Sequence, residues 1–122
     1  MAKLSILILA KNEEKNIADC IKSVAFADEV VVIDDFSEDT TAAIAEGLGA
    51  RVVQRAMKGN WGEQQTFAIK QASHEWIFFL DADERASKPL AAKVREVIAA
   101  DDRRYAYNIA RLNYFWEQPL RH

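Results

Sequence analysis

The sequence predicts an α/β domain built on a mostly parallel β-sheet flanked by helices. Short apolar runs of strand length alternate with segments whose apolar residues recur at helical spacing. These runs are almost continuously hydrophobic, as in strands that are buried on both faces of a parallel sheet. Three of them end abruptly in polar or acidic residues. Because the carboxyl ends of parallel strands share one edge of the sheet, that edge is the expected ligand site.

Composition favours one packed domain over residues 1–122. Half of the residues are hydrophobic, 4 are Gly and 2 are Pro, which argues against a disordered segment. The formal net charge of −3 at pH 7 gives no reason to expect a nucleic-acid partner. A single cysteine excludes an intramolecular disulfide, and neither a signal peptide nor a membrane-spanning run is evident. We expect a cytoplasmic protein and leave peripheral contact with the inner membrane face open.

The first strand is predicted over 4–10, where the sequence reads Leu-Ser-Ile-Leu-Ile-Leu-Ala. A polar segment follows, in which a helix can begin with acidic residues in its first turn. That helix is predicted over 14–24. Its apolar residues follow the i, i+3, i+4, i+7 pattern of a buried helical face, which comprises Ile17, Cys20, Ile21 and Val24.

The second strand is predicted over 29–34 and the third over 51–54, with a helix over 40–48 between them. The helix ends at the Gly-Leu-Gly sequence of residues 47–49, a typical C-terminal signal. Three side-chain oxygens are available to cap its first turn, those of Ser37, Asp39 and Thr40.

The later part of the chain continues the alternation of strands and helices. A Gly-Asn-Trp-Gly loop at 59–62 precedes a helix over 62–73, and an apolar run at 76–80 predicts a buried fourth strand. The Ser-Lys-Pro sequence at 87–89 marks another helix start, because proline is tolerated in a first turn. Loose alternation over 105–115 predicts an edge or antiparallel strand.

Polar clusters follow the first, second and fourth strands. They comprise Lys11, Asn12 and Glu13; Asp34 and Asp35; and Asp81 and Asp83. In an extended chain, positions i and i+2 point the same way, so Asp81 and Asp83 are expected to converge. Two close carboxylates repel each other unless a cation relieves them, and Mg²⁺ or Mn²⁺ with ligand phosphates suits such a pair. No Gly-rich phosphate loop follows the first strand, and acidic residues at the strand ends need a cation before they can hold phosphates. The pattern therefore points to a nucleotide diphosphate bound through a metal.

Plainer interpretations stay open for each cluster. Aspartates at a strand end are also typical of turns and helix caps, and the cluster after the first strand is also typical of a solvated helix start. Trp61, between two glycines, either covers a ligand or plugs the sheet edge.

The order and spacing of three segments, 4–14, 29–40 and 80–85, resemble the family 2 glycosyltransferases of the GT-A fold. The segment 111–115, Arg-Leu-Asn-Tyr-Phe, resembles more narrowly the bacterial lipopolysaccharide-core β-glucosyltransferase branch. The resemblance implies a Rossmann-like nucleotide-sugar-binding domain. It also implies inverting transfer of a sugar, from a UDP-sugar in the first place, to a lipopolysaccharide or another glycan or lipid-linked acceptor.

The resemblance also implies roles for individual residues. Asp81 and Asp83 correspond to the family's DxD motif, with Asp83 as the direct ligand of Mg²⁺ or Mn²⁺ and Asp81 holding ribose or metal. The residues implied in nucleotide-sugar binding are Lys11, Asn12, Glu13, Asp34, Asp35 and Asp81.

The chain departs from that branch at two places. Residues 64–66 read Gln-Gln-Thr where the branch carries Gln-Lys-Asn, and Phe36 stands where a small residue, usually Gly, follows the acidic strand end. The catalytic base is unassigned, since nothing in the sequence places Glu84 or Glu117 near an acceptor. The sequence ends about where family members enter the acceptor-binding half, so we expect the donor half alone, with an exposed edge that favours homo-oligomers.

Two other functions stay open at this point. The first is a non-catalytic module that binds a metal-nucleotide. The second is a receiver-like phosphoacceptor domain, which needs an acidic pair after the first strand and an acceptor aspartate after the third. Those strands end here in Lys11-Asn12 and Gln54-Arg55.

Overall fold

The structure, a computed structural model, describes residues 3–100 and 116–117. Its larger sheet has four parallel strands in the order β3-β2-β1-β4. The strands are β1 Leu4–Ala10, β2 Glu29–Asp34, β3 Arg51–Gln54 and β4 Trp76–Asp81. A separate antiparallel pair joins β5 Arg85–Ala86 to β6 Trp116–Glu117. The predicted parallel sheet is confirmed, whereas the strand predicted over 105–115 lies outside the described residues.

The described part of the chain contains four helices, as predicted. They are α1 Ile17–Ser23, α2 Thr41–Gly47, α3 Trp61–Gln71 and α4 Lys88–Ala100. The largest difference is at α1, which begins at Ile17 instead of residue 14. None of these helices has the length and apolar character needed to cross a membrane.

The strands of the large sheet send alternate side chains into two apolar layers. Ile6, Ile8 and Phe78 belong to the layer that α1, α2 and α4 cover. Leu7 and Ile33 belong to the opposite layer, which α3 covers. The core residues predicted for the first helix are at most 5% exposed, namely Ile17, Cys20 and Ile21 of α1 and Val24, which follows it. Full burial of one large aliphatic side chain stabilises the fold by about 1.5–3 kcal/mol.

Strand order and register determine where a ligand can bind. The chain passes from β1 to β2 and β3 on one side, then returns to place β4 on the other side of β1. This reversal leaves a crevice at the carboxyl ends of the strands next to β1. In the register, Ala10 lies beside Asp34 and Leu9 beside Asp81. Three strands therefore end level with one another, and their polar extensions share one rim.

At the opposite edge of the sheet, Glu29 at the start of β2 connects its strand to the neighbouring segments of the chain. Its carboxylate accepts hydrogen bonds from the Ser5 hydroxyl (2.8 Å) and from the backbone N–H and hydroxyl of Ser73 (both 2.9 Å). Burial raises the pKa of Glu29, but these hydrogen bonds and the nearby Arg51 outweigh it. The pKa of this carboxyl is consequently below its ordinary value of 4.5.

The lowered pKa of Glu29 makes a prediction about acid unfolding. A carboxyl with a depressed folded-state pKa stabilises the protein fully above its unfolded pKa, and that contribution is lost as pH falls through the folded value. We expect Glu29→Gln to flatten the dependence of the unfolding free energy on pH below about 4.5, measured by urea denaturation from pH 7 to 3. Glu46→Gln, a change at an exposed residue of α2, is the control and should keep the wild-type slope. Equal slopes for Glu29→Gln and the wild type would contradict the prediction.

Candidate functional site

Side-chain hydrogen bonds join the loop after β1 to the loop after β2. The Asn12 N–H donates to Ser37 Oγ (2.8 Å), and the Glu38 N–H donates to Asn12 Oδ1 (2.8 Å). The Glu14 carboxylate accepts from the Thr40 N–H (3.1 Å) and hydroxyl (2.7 Å). Because residues 12 and 14 take part in this network, α1 begins at Ile17 and not at the predicted residue 14. Asn12 has a φ of +52°, a left-handed conformation that asparagine tolerates.

The start of α2 uses one of the three predicted capping oxygens. Asp39 Oδ1 accepts from the Thr41 N–H (2.9 Å) and from the Thr41 hydroxyl. Thr40, at the N-cap position, makes no side-chain cap hydrogen bond. The Ser37 hydroxyl instead donates to the carboxylate of Asp34, the last residue of β2, and the Thr40 hydroxyl donates to the carboxylate of Glu14.

Asp34 is completely buried at the end of β2. Its carboxylate accepts from the Ser37 N–H (3.0 Å), the Ser37 hydroxyl (2.5 Å) and Gln54 Nε2 (3.3 Å). These bonds close a turn in which Phe36, 55% exposed, has a φ of +48°, an unusual value for a bulky residue. The structure thus shows Asp34 forming a turn, and the nucleoside contact assigned to it stays a prediction.

Asp35 lines a pocket of about 220 Å³ at the carboxyl ends of β1 and β2. Its Oδ1 accepts from the Met57 N–H (3.1 Å), and its Oδ2 lies 3.9 Å from Lys11 Nζ. Three of the predicted binding residues, Lys11, Glu13 and Asp35, meet in this pocket. The complete lining is Leu9, Ala10, Lys11, Glu13, Ile33, Asp35, Met57, Trp61 and Gln64.

Met57 and Gln64 line the pocket as well, although no ligand role was predicted for either residue. Trp61, the first residue of α3, is 45% exposed and also lines the pocket, which favours covering a ligand over plugging the sheet edge. The sequence feature that could have identified these residues is the loop at 59–62, which contains two glycines. This loop follows β3, so it also leaves the sheet at its carboxyl edge. Asn60 caps α3, its Oδ1 accepting from the Glu63 N–H (3.0 Å).

The chain turns immediately after β4. Asp81 is the last strand residue, and the Glu84 N–H donates to its carbonyl oxygen (2.9 Å). Glu84 Oε1 in turn accepts from the Asp81 N–H (3.1 Å). The extended geometry expected between Asp81 and Asp83 is therefore replaced by a β-turn, and the convergence of their carboxylates stays a prediction. Ala82 and Glu84 are buried, whereas Asp81 and Asp83 are half-buried.

The pKa of the buried Cys20 thiol is affected by the carboxylates at the carboxyl edge of the sheet. Burial raises the pKa of Cys20, and the carboxylates of Glu84, Asp83, Asp81 and Glu13 raise it further, in that order. The Cys20 thiol donates to the Asp81 carbonyl oxygen at 3.5 Å. The carboxylates at the ends of β1 and β4 therefore lie close enough to the Cys20 thiol for each to raise its pKa.

Comparison with protein families gives a match over nearly the whole chain. The model of the family described as Glycosyl transferase family 2 matches residues 5–120. An uncharacterized glycosyltransferase of Rickettsia felis is 43% identical over 112 residues, which are 89% of this chain and 39% of the relative. The lipopolysaccharide core biosynthesis glycosyltransferase LpsC of Rhizobium meliloti is 36% identical over 116 residues, which are 91% of this chain and 43% of LpsC. The chain spans about two fifths of the length of these relatives.

Two solved structures resemble the fold. S. aureus TarS, residues 1–349, superposes with a TM-score of 0.69 at 32% identity, over 80% of this chain and 32% of TarS. Glucosyl-3-phosphoglycerate synthase of Mycobacterium tuberculosis, in complex with Mn²⁺, UDP and glucosyl-3-phosphoglycerate, has a TM-score of 0.66 at 27% identity. That likeness covers 80% of this chain and 40% of the synthase.

Proposed function

The chain belongs to glycosyl transferase family 2 and has the predicted GT-A fold, and on that premise we propose that its carboxyl rim binds a nucleotide diphosphate sugar with Mg²⁺ or Mn²⁺. The proposed donor is a UDP-sugar, and the proposed reaction is inverting transfer to a lipopolysaccharide or another glycan acceptor. Solved complexes of the M. tuberculosis synthase contain Mn²⁺ with UDP, and one of TarS contains UDP. The similarity to LpsC, a lipopolysaccharide core biosynthesis glycosyltransferase, supports this class of acceptor.

One observation carries the proposal. Three neighbouring strands end level with one another, and Leu9, which lines the pocket at β1 and β2, pairs in the sheet with Asp81 at the end of β4. The pocket has apolar walls, including Ile33 and Trp61, which suit the faces of a planar base. Lys11 and Asp35 supply a donor and an acceptor for the polar edge of the base or the ribose. The diphosphate then extends toward Asp81.

The residues at the acidic turn fit a hard divalent cation. Mg²⁺ prefers one or two carboxylates together with phosphate oxygens rather than a cage of protein ligands, and Mn²⁺ shares its preference for oxygen ligands. Within residues 3–100 and 116–117, no group of three or more His, Cys, Asp or Glu side chains is arranged to hold a metal alone. Asp83, with Asp81, would hold the ion, which when bound stabilises the negative charge of the leaving diphosphate.

The other residues of the site position the donor. The network between the β1 and β2 loops orders Lys11 and Glu13 next to the pocket. Glu84 is 8% exposed and its carboxylate closes the turn after β4, so we assign it to positioning Asp81 rather than to proton transfer. Deprotonation of the acceptor hydroxyl requires a base, which we leave unassigned.

Calorimetric titration of UDP into this 122-residue chain, with and without Mn²⁺, tests the proposal. We expect UDP to bind, and to bind more tightly when Mn²⁺ is present. Absence of binding under both conditions would overturn the donor-site assignment. Hydrolysis of UDP-glucose by the same sample would then distinguish an enzyme from a non-catalytic metal-nucleotide module.

A further inference from the structure

Gln64 is a buried polar residue of α3, 1% exposed, that lines the pocket. Its amide makes two hydrogen bonds with a single residue. Nε2 donates to the Arg55 carbonyl oxygen (2.6 Å), and Oε1 accepts from Arg55 Nη1 (2.8 Å). Because a buried carbonyl oxygen is costly to leave unpaired, this pair of hydrogen bonds fixes Arg55 relative to α3.

Arg55 is held from two further directions. Its N–H donates to the Asp34 carbonyl oxygen (3.0 Å), and its guanidinium lies over the Phe67 ring, 5.0 Å from the centroid. Two residues later, the Met57 N–H donates to Asp35 Oδ1 (3.1 Å). Hydrogen bonds therefore hold the segment 55–57 to the end of β2 on one side and to α3 on the other.

This segment leads into the outer wall of the pocket, which consists of Met57 and Trp61. Between these residues the chain reverses through Lys58 (φ +53°) and Gly59 (φ +74°). Trp61 is 45% exposed, so packing around its side chain restrains it little. The distance of Met57 from the ends of β1 and β2 thus depends on the backbone that Arg55 anchors. That of Trp61 depends on the start of α3, which Gln64 joins to the same backbone.

We infer that Gln64 is a positioning residue that, through Arg55, sets the distance of the Met57–Trp61 wall and so makes the pocket select pyrimidine over purine diphosphates. The inference rests on the proposed function. A wall held at a constant distance admits a base of one size, and a purine adds a second ring. Glutamine suits this role because its amide is both donor and acceptor. A glutamate would place an acceptor against the Arg55 carbonyl, and methionine of similar size offers neither bond.

The experiment compares the dissociation constants of UDP and GDP in the presence of Mn²⁺, with GDP measured by displacement of UDP. In Gln64→Met we expect UDP affinity to fall roughly tenfold and GDP affinity by less than about twofold, so the preference for UDP shrinks. Trp61→Ala, a change at an exposed residue that does not threaten folding, should shrink the preference in the same way. Gln65→Met makes the same substitution one position along α3, outside the pocket lining, and should behave as wild type.

Several outcomes would overturn the inference. Equal losses for both nucleotides in Gln64→Met, or no change for either, would leave Gln64 with a purely structural role, while UDP binding by the wild type would still support the proposed function. An unchanged preference in Trp61→Ala would also overturn it, even if Gln64→Met failed to fold. A wild-type chain that binds neither nucleotide would overturn the proposed function and this inference together.

Discussion

Replacing Asp83 by alanine is expected to remove the metal-dependent part of UDP binding and to raise the dissociation constant in Mn²⁺ roughly 100-fold or more. Asp83 lies half-buried in the turn after β4. Its carboxylate, like those of Asp81 and Glu84, raises the pKa of Cys20. Without it, the rim loses the proposed direct ligand of the cation that offsets the charge of the diphosphate. Calorimetric titration of UDP with and without Mn²⁺ measures the effect.

The control for Asp83→Ala is Asp19→Ala. Asp19 is an exposed acidic residue of α1 whose carboxylate lies 3.9 Å from Arg85 Nη1, so its removal changes the net charge by the same amount without touching the rim. An exposed ion pair of this kind contributes little to stability. Asp19→Ala should therefore bind UDP as the wild type does. Wild-type binding by Asp83→Ala, with a wild-type response to Mn²⁺, would remove Asp83 from the metal site.

Replacing Asp34 by alanine is expected to lower the free energy of unfolding by about 3 kcal/mol, and the melting temperature by roughly 10 °C or more. The carboxylate of Asp34 is fully buried and satisfies two hydrogen-bond donors of Ser37 and one of Gln54. Alanine leaves those donors without their partner and releases the turn that holds Phe36 at positive φ. Urea and thermal unfolding measure the loss.

Asp35→Asn is the matched comparison for Asp34→Ala. Asp35 is partly exposed, and an asparagine oxygen can still accept from the Met57 N–H. We expect this variant to keep most of the stability and to weaken UDP binding instead. If Asp34→Ala kept the wild-type melting temperature but lost UDP binding, the turn-forming role of Asp34 would be wrong and direct ligand contact would be favoured.

The core was predictable because it depends on period and hydrophobicity, which are local properties of the sequence. The apolar runs at 4–10 and 29–34 became β1 and β2 with the predicted ends. Cys20 and its neighbours on the same helical face are buried as predicted. The parallel order of the strands followed from their alternation with helices.

The roles of the acidic residues were less predictable. Asp34 ends β2 and Asp35 follows it directly, and successive side chains of an extended chain point to opposite faces, so Asp34 is buried and Asp35 lines the pocket. Which of the two is buried depends on Ser37 and Gln54, whose positions the sequence does not determine locally. Glu84 was considered as a base, and the structure places it in the turn after β4.

The sequence alone determined that this chain forms a parallel α/β sheet with polar strand ends along one rim, because apolar periodicity is read within a single element. The tertiary structure decided which rim residues are available to a ligand. It closed the turn at Asp34, joined Asn12 to the neighbouring loop, and brought Gln64 and Trp61 to the pocket from α3. Those outcomes depend on hydrogen bonds between segments that are distant in the sequence, and such bonds form only once the sheet has set the segments side by side.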